Sequence, residues 1–258
     1  MTYFLTRALG VLWIILLGMP VAWASKTADS SNNKWSFMVE PYVWGAGLKG
    51  TASTLPPLPS VDVDASFKDI IKNFDLGFMG VAELRKGRFG IFTDIVWFKI
   101  SADSSGPLPP PFTRALDLES NTFMGTLAGA YRLVEKEQSW IDLVLGVRGW
   151  YISTDLDVGP GILLGTRKID DNEGWVDAIG GLRTRLQLSK GFYARAAALV
   201  GGGSSESVVD VTGQLGYSFT KMFSVSAGYR YMTVNYQQSG FEWDMENKGP
   251  ILGGQFRF

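Results

Sequence analysis

The chain has 258 residues, with 24 Lys and Arg against 25 Asp and Glu, 31 Gly, and neither Cys nor His. That charge balance argues against a nucleic-acid binder, which carries a basic excess. Without Cys and His there is no disulfide framework, no thiolate or imidazole metal site and no imidazole base, and the length fits one large β domain or two small ones.

The first residues have the order of an address. Arg7 precedes the apolar run 8–17, then come Gly-Met-Pro and the small-residue tripeptide Ala22-Trp23-Ala24. This is the pattern of a secretory signal with its cleavage site, and the run is shorter than the roughly 20 apolar residues that a spanning helix needs. Residues 1–24 are therefore expected to be a cleaved signal peptide, 25–34 a polar lead and 35–258 a single β-barrel domain.

Beyond the lead, charges or Gly interrupt every apolar stretch, and the pattern becomes an alternation of period two. Val209, Val211, Gly213, Leu215, Tyr217 and Phe219 alternate with Asp210, Thr212, Gln214, Gly216 and Ser218; segments 176–188 and 223–231 behave alike. Extended along the chain, this predicts strands near 35–48, 76–86, 89–101, 115–133, 140–154, 175–189, 192–202, 207–219, 223–236 and 250–258. Every second connection is short (86–88, 134–139, 189–191, 220–222), whereas 49–75, 102–114, 155–174 and 237–249 are long and 203–206 is a short exception. Short turns on one rim and long loops on the other is the asymmetry of bacterial outer-membrane barrels, whose turns face the periplasm. The expected fold is all-β: an antiparallel up-and-down transmembrane β-barrel of about ten strands, within eight to twelve.

Aromatic residues fall near strand ends, as a girdled barrel requires. Trp35, Phe37, Phe89, Tyr131, Trp140, Phe192, Phe219, Phe223, Phe256 and Phe258 are expected on the short-turn rim, and Trp44, Trp97, Phe123, Tyr151, Trp175 and Tyr236 on the other.

The terminal segment Ile251-Leu252-Gly253-Gly254-Gln255-Phe256-Arg257-Phe258 resembles the C-terminal assembly signature of Gram-negative outer-membrane barrel proteins. Gly253, Phe256 and Phe258 match it, and Ile251 departs from it where a polar residue is preferred. The stretches 40–50 and 86–90 are similar to those of a group of small proteobacterial outer-membrane β-barrel proteins. The resemblance implies outer-membrane lipid as the surroundings and handling by the barrel assembly machinery, and it carries no activity.

Assigning faces by alternation turns Glu40, Glu83, Arg85, Asp94, Asp142, Arg148, Asp177, Arg183, Arg185, Arg195, Asp210 and Arg230 inward, six acids facing six arginines. Unpaired charge in a confined interior costs several kcal/mol, whereas bidentate Arg–carboxylate pairs satisfy both partners, so the expected lumen is salt-bridged and largely filled. A narrow charged conduit or solute site along 175–189 is the alternative.

The long loops hold Asp62-Val63-Asp64, Asp155-Leu156-Asp157 and Asp170-Asp171-Asn172-Glu173, which read as solvated charge rather than as a calcium loop of the EF-hand kind. Phe67, Ile70, Ile71 and Phe74 have helical spacing and predict a short helix over the barrel mouth. Gly-Pro-Gly 159–161 and the triple Gly 201–203 read as turns or bulges, and Pro107 with 109–111 stiffens its loop.

Three functional classes follow: a non-enzymatic envelope barrel that stabilises, presents loops or passes a small polar solute slowly; a barrel enzyme, disfavoured because such enzymes employ a catalytic His; and a soluble exported barrel with its apolar side inward. No cofactor, metal or nucleic acid is expected.

Overall fold

The computed structural model describes residues 34–53, 60–105, 115–158 and 167–258. The expected signal peptide, the proline-rich stretch and Gly-Pro-Gly 159–161 lie outside these residues. The elements are β1 (Trp35–Trp44), β2 (Gly47–Ser53), β3 (Val61–Ala65), α1 (Phe67–Lys72), β4 (Phe74–Lys86), β5 (Phe89–Ser105), β6 (Ala115–Lys136), β7 (Ser139–Val158), β8 (Arg167–Gln187), β9 (Phe192–Gly203), β10 (Ser207–Ser218), β11 (Phe223–Gln238) and β12 (Phe241–Arg257).

β1 and β4 through β12 make a closed antiparallel cylinder of ten strands, because β12 pairs back onto β1. Closure removes the sheet edges, which lipid would otherwise leave without hydrogen-bond partners. The two ends of the barrel sequence meet at the seam, where Phe37 and Phe258 exchange backbone hydrogen bonds of 3.1 and 2.8 Å. β2 continues along β12 above β1 and folds back as β3, so two further strands stand beyond the closed wall.

The four short connections lie at one end, as expected, but two of the expected long loops are largely β-ribbon. β7 and β8 stay paired to Val158 and Arg167, and β11 and β12 to Gln238 and Phe241. Segment 237–249 is therefore mostly strand, closed by Ser239-Gly240, whose φ values of 51° and 90° suit the primed hairpin turn that matches strand twist. The reason lies in the solvent. Beyond the lipid level the outward positions become polar, as at Thr233, Asn235, Asp244 and Glu246, so the apolar signal ends while the backbone ladder continues.

α1 forms where its spacing predicts, with Ser66 as N-cap accepting from the Asp69 backbone N–H at 3.3 Å. It buries no residue. Phe67 instead packs beside Gly45 and Pro250, both on the outward face of the wall, so the helix lies against the outside rather than over the mouth.

The outer surface settles which side of the wall is oily. Between 35–43 on β1, 76–84 on β4, 89–97 on β5, 123–133 on β6, 141–151 on β7, 176–188 on β8, 192–200 on β9, 209–217 on β10, 223–231 on β11 and 250–256 on β12, no outward position is charged. Leu145, Leu127, Leu215 and Leu252 each expose more than half of their surface there. Charge reappears directly above, in the pairs Lys99–Glu119 (2.7 Å) and Lys248–Glu246 (2.5 Å). A continuous apolar belt around a closed cylinder matches a bilayer core and rules out the soluble arrangement with its apolar side inward. Placing arginine at mid-belt, as Leu145→Arg, is expected to cost about 2–4 kcal/mol, and Ser153→Arg above the belt about 0–1 kcal/mol. Equilibrium urea titration of the protein refolded in lipid vesicles measures both, and equal costs would contradict the belt.

Candidate functional site

The interior begins, midway along the barrel, with a guanidinium that reaches across it. Arg230 on β11 donates through Nη2 to Asp94 of β5 at 2.9 Å and to Asp210 of β10 at 2.7 Å. Its Nε donates to the second Asp210 oxygen at 3.0 Å and its Nη1 to the Tyr42 hydroxyl at 3.0 Å, while Tyr42 donates to Asp94 at 2.6 Å. Arg148 on β7, 1% exposed, completes the knot with Asp210 at 2.7 Å and Thr126 at 2.9 Å. Six strands that are not all neighbours are thereby tied through one polar cluster.

Nearer the short-turn end lies a second knot. Asp142, fully buried, accepts from Arg85 at 2.5 Å, Arg132 at 2.5 Å and Arg183 at 3.0 Å. Glu83 lies 2.7 Å from both Arg85 and Arg183, so the acid and base charges interleave. The Arg183 guanidinium also sits 4.5 Å from the Phe92 ring centroid. Glu40 takes a fork of two nitrogens from Arg195, whose Nε donates to Gln214 and whose Nη2 donates to Ser226 at 2.8 Å. Phe92, Ala128, Ala130, Val144, Ile179 and Leu199 make an apolar layer in this half.

All twelve expected residues face inward, and ten of them join ion pairs. Asp177 and Arg185 do not. Asp177 accepts from the backbone N–H and hydroxyl of Ser205 at 2.7 and 2.8 Å, pinning the short 204–206 turn into the barrel end. Arg185 donates to Ser218 at 3.1 Å and stacks on Tyr193. Arg132 is the residue that the alternation missed. Arg132 keeps the inward parity of Thr126, Ala128 and Ala130, and the register of β6 against β7 shifts only beyond it, between Arg132 and Val134, where the alternating run ends.

The aromatic expectation needs a larger correction. Trp97, Phe123 and Tyr151 face outward, but Trp44, Trp175 and Tyr236 point into the barrel and are buried. Trp140 also points inward, with Arg132 4.6 Å from its ring centroid. Trp150, Trp175 and Tyr236 stack at centroid spacings of 5.8 and 4.1 Å, and Phe241 packs obliquely on the same stack. The upper interior is thus an aromatic core, which Met124, Ile152, Met232 and Met245 complete. The indole N–H groups of Trp44, Trp150 and Trp175 find no acceptor among the described residues. Parity explains the inward turn: Trp175 shares it with Asp177 and Trp44 with Glu40, and alternation overrides the aromatic preference for headgroups.

Gly253, Phe256 and Phe258 sit at the seam. A Cβ on Gly253 would meet the Glu40 carboxylate at 2.6 Å, so this glycine leaves room for the Glu40–Arg195 fork. Phe256 packs on Phe223 and Phe258 on Phe37, at centroid distances of 5.1 and 6.3 Å.

Of the loop acids, Asp62 engages Thr51 and Asp64 lies 3.8 Å from Lys49 in the β2–β3 ribbon, whereas Glu173 shares the inward parity of Trp175 and accepts from the buried Tyr236 hydroxyl at 2.7 Å. No group of three or more acidic side chains suited to a metal ion occurs among the described residues. On α1, the Ser66 hydroxyl and Lys72 hold Asp69 below the usual carboxylate range. That contribution to the helix cap is present above the ordinary Asp value and is lost as pH falls through the lowered one.

The apolar belt, the closed ten-stranded wall and the ionic interior together define a transmembrane β-barrel of the bacterial outer-membrane class. No protein-family model matches the chain, and no curated protein matches its sequence. Among solved structures the barrel is similar to the outer membrane protease OmpT from Escherichia coli, at 10% identity over 91% of this chain and 100% of that one, with a TM-score of 0.50. The translocator domain of the autotransporter NalP from Neisseria meningitidis (12% identity, 89% and 90% coverage, TM-score 0.44) also aligns. So does the attachment invasion locus protein Ail of Yersinia pestis (12%, 87% and 98%, TM-score 0.39). The likeness to OmpT is one of fold, and it carries neither a residue nor a reaction.

Removing Asp142 leaves three arginines facing one another without their shared acid. Asp142→Ala is expected to destabilise the barrel by about 3–5 kcal/mol. Asp69→Asn, on the exposed helix, is the control and should leave the midpoint of urea unfolding in place.

Proposed function

We propose that this chain is a non-enzymatic integral outer-membrane β-barrel whose lumen is closed by its own side chains, and that it works through the ribbons it presents beyond the membrane. The observation that carries this reading is the Arg230 cluster: one guanidinium contacts β1, β5 and β10 from β11, at the level where a conduit would run. The aromatic core above it and the Asp142 cluster below it support the same conclusion. Ten strands also lie near the size at which side chains fill a barrel, whereas an aqueous channel needs about 16–18.

A catalytic role has little support, since the chain lacks His and Cys and the buried carboxylates are engaged by arginine or, at Asp177, by Ser205. In this reading residues 1–24 export the chain, the short turns face the periplasm, and Gly253, Phe256 and Phe258 serve the barrel assembly machinery. The long β2–β3, β5–β6, β7–β8 and β11–β12 ribbons then stand outside the cell, as an envelope or surface-presenting element.

A narrow solute channel is the second reading, favoured by the unpaired Asp177 and Arg185 on one strand. Planar-bilayer recording separates the two. The closed barrel should give no large, steady conductance steps, and porin-sized steps from the wild-type protein would overturn it. Folded protein should also migrate differently on a gel before and after boiling.

A further inference from the structure

Of the seven inward arginines named above, six lie within ion-pair distance of an acid: Arg85 of Glu83 and Asp142, Arg132 of Asp142 and Glu135, Arg148 and Arg230 of Asp210, Arg183 of Glu83 and Asp142, and Arg195 of Glu40. One carboxylate, Asp177, is committed to Ser205 at the opposite end. It lies eight positions up the same strand from Arg185, about 26 Å away at the usual strand rise, too far to compensate it.

Arg185 is therefore a cation that is 92% buried, since it is 8% exposed, yet makes no ion pair among the described residues. Its guanidinium carbon lies 3.5 Å from the Tyr193 ring centroid, and one nitrogen, Nη2, donates to Ser218 at 3.1 Å. Nε and Nη1 are left without an acceptor among the described residues. They are not sealed in dry packing as the three indole N–H groups are. The surroundings add positive charge. Arg195 is the direct cross-strand partner of Arg185, and Arg257 acts on it electrostatically. Glu40 also acts on it from nearby, but Arg195 holds both Glu40 oxygens. A protein that paired every other inward arginine with an acid leaves this one stacked, oriented and open.

We propose that Arg185, held between Tyr193 and Ser218 at the short-turn mouth of the barrel, is the centre of a binding site for a phosphate group. The planar fork suits a tetrahedral oxyanion with two free N–H directions, Ser218 can add a hydroxyl, and Arg195 and Arg257 supply longer-range attraction. Free phosphate and the phosphate of a lipid headgroup present the same chemistry.

The test uses the full protein refolded in a zwitterionic detergent and isothermal titration with inorganic phosphate and, separately, with glycerol 3-phosphate. Wild type should bind at least one of them saturably at low salt. Tighter glycerol 3-phosphate would point to a headgroup, tighter inorganic phosphate to the free ion. Arg185→Gln should weaken binding by about tenfold, the loss of one charge-assisted contact, with Arg185→Lys in between. Retained heat-modifiable mobility shows that each variant has folded, and the wild-type titration decides by itself if one does not. No saturable binding by wild type, or unchanged affinity in folded Arg185→Gln, would overturn the site.

Discussion

Charge enclosed within a wall that faces lipid has no bulk water to return to, and from that constraint most of this structure follows. An arginine turned inward must find an acid, an aromatic face or an open mouth. The barrel uses all three. Arg230 and Arg148 share Asp210, Arg85, Arg132 and Arg183 share Asp142, and Arg183 and Arg185 lie on rings. Because the acids come from different strands, each pairing is also a statement about register. A slip of one residue in β5 would turn Asp94 to the lipid and leave Arg230 with one acid fewer, so the ionic clusters penalise every neighbouring register.

The interior is layered rather than uniformly polar. Aromatic and thioether side chains fill the half beyond the Arg230 cluster, and ionic clusters separated by small apolar residues fill the half near the tight turns. The two fillings resist solvent differently. The aromatic layer excludes water by volume, whereas the ionic layer is held by directed bonds that fail together when one acid is removed. The three indole N–H groups without acceptors are the cost of that dry layer, on the order of 1–3 kcal/mol each. Stacking of Trp150, Trp175, Tyr236 and Phe241 offsets part of it.

Much of this was legible in the chain. The expected charged residues all turn inward, since a period of two leaves only one choice per strand. Turn spacing gave the strand count and the tight end. Three things were hidden for physical reasons. Trp44, Trp175 and Tyr236 have the composition of a headgroup girdle and the parity of a core, and parity decided. Arg132 is the last inward residue before a bulge, at the very end of its alternating run. The pairing of Arg230 with Asp94 joins β11 to β5 across the lumen, a distance that no local pattern encodes. The ribbons beyond the belt were hidden in another way, since their outward positions face water and turn polar, so the apolar outward signal ends while the inward residues stay buried.

The unpaired charges give the barrel an electrical direction. Arg185 stands uncompensated near the tight turns, with Arg195 and Arg257 close by, and Asp177 stands far along the same strand, satisfied by hydroxyl and amide rather than by a cation. The register sets Arg148 opposite Asp177, yet Arg148 reaches past it to Asp210, and Arg185, eight positions away on the same strand, is too distant for Asp177 to compensate. An interior selected solely for stability would have closed that gap, since an unpartnered buried cation is among the more expensive groups a fold can keep. Its retention is understandable if an anion from solution or from a lipid completes it, and the Tyr193 ring with the Ser218 hydroxyl fixes the direction from which that anion must come.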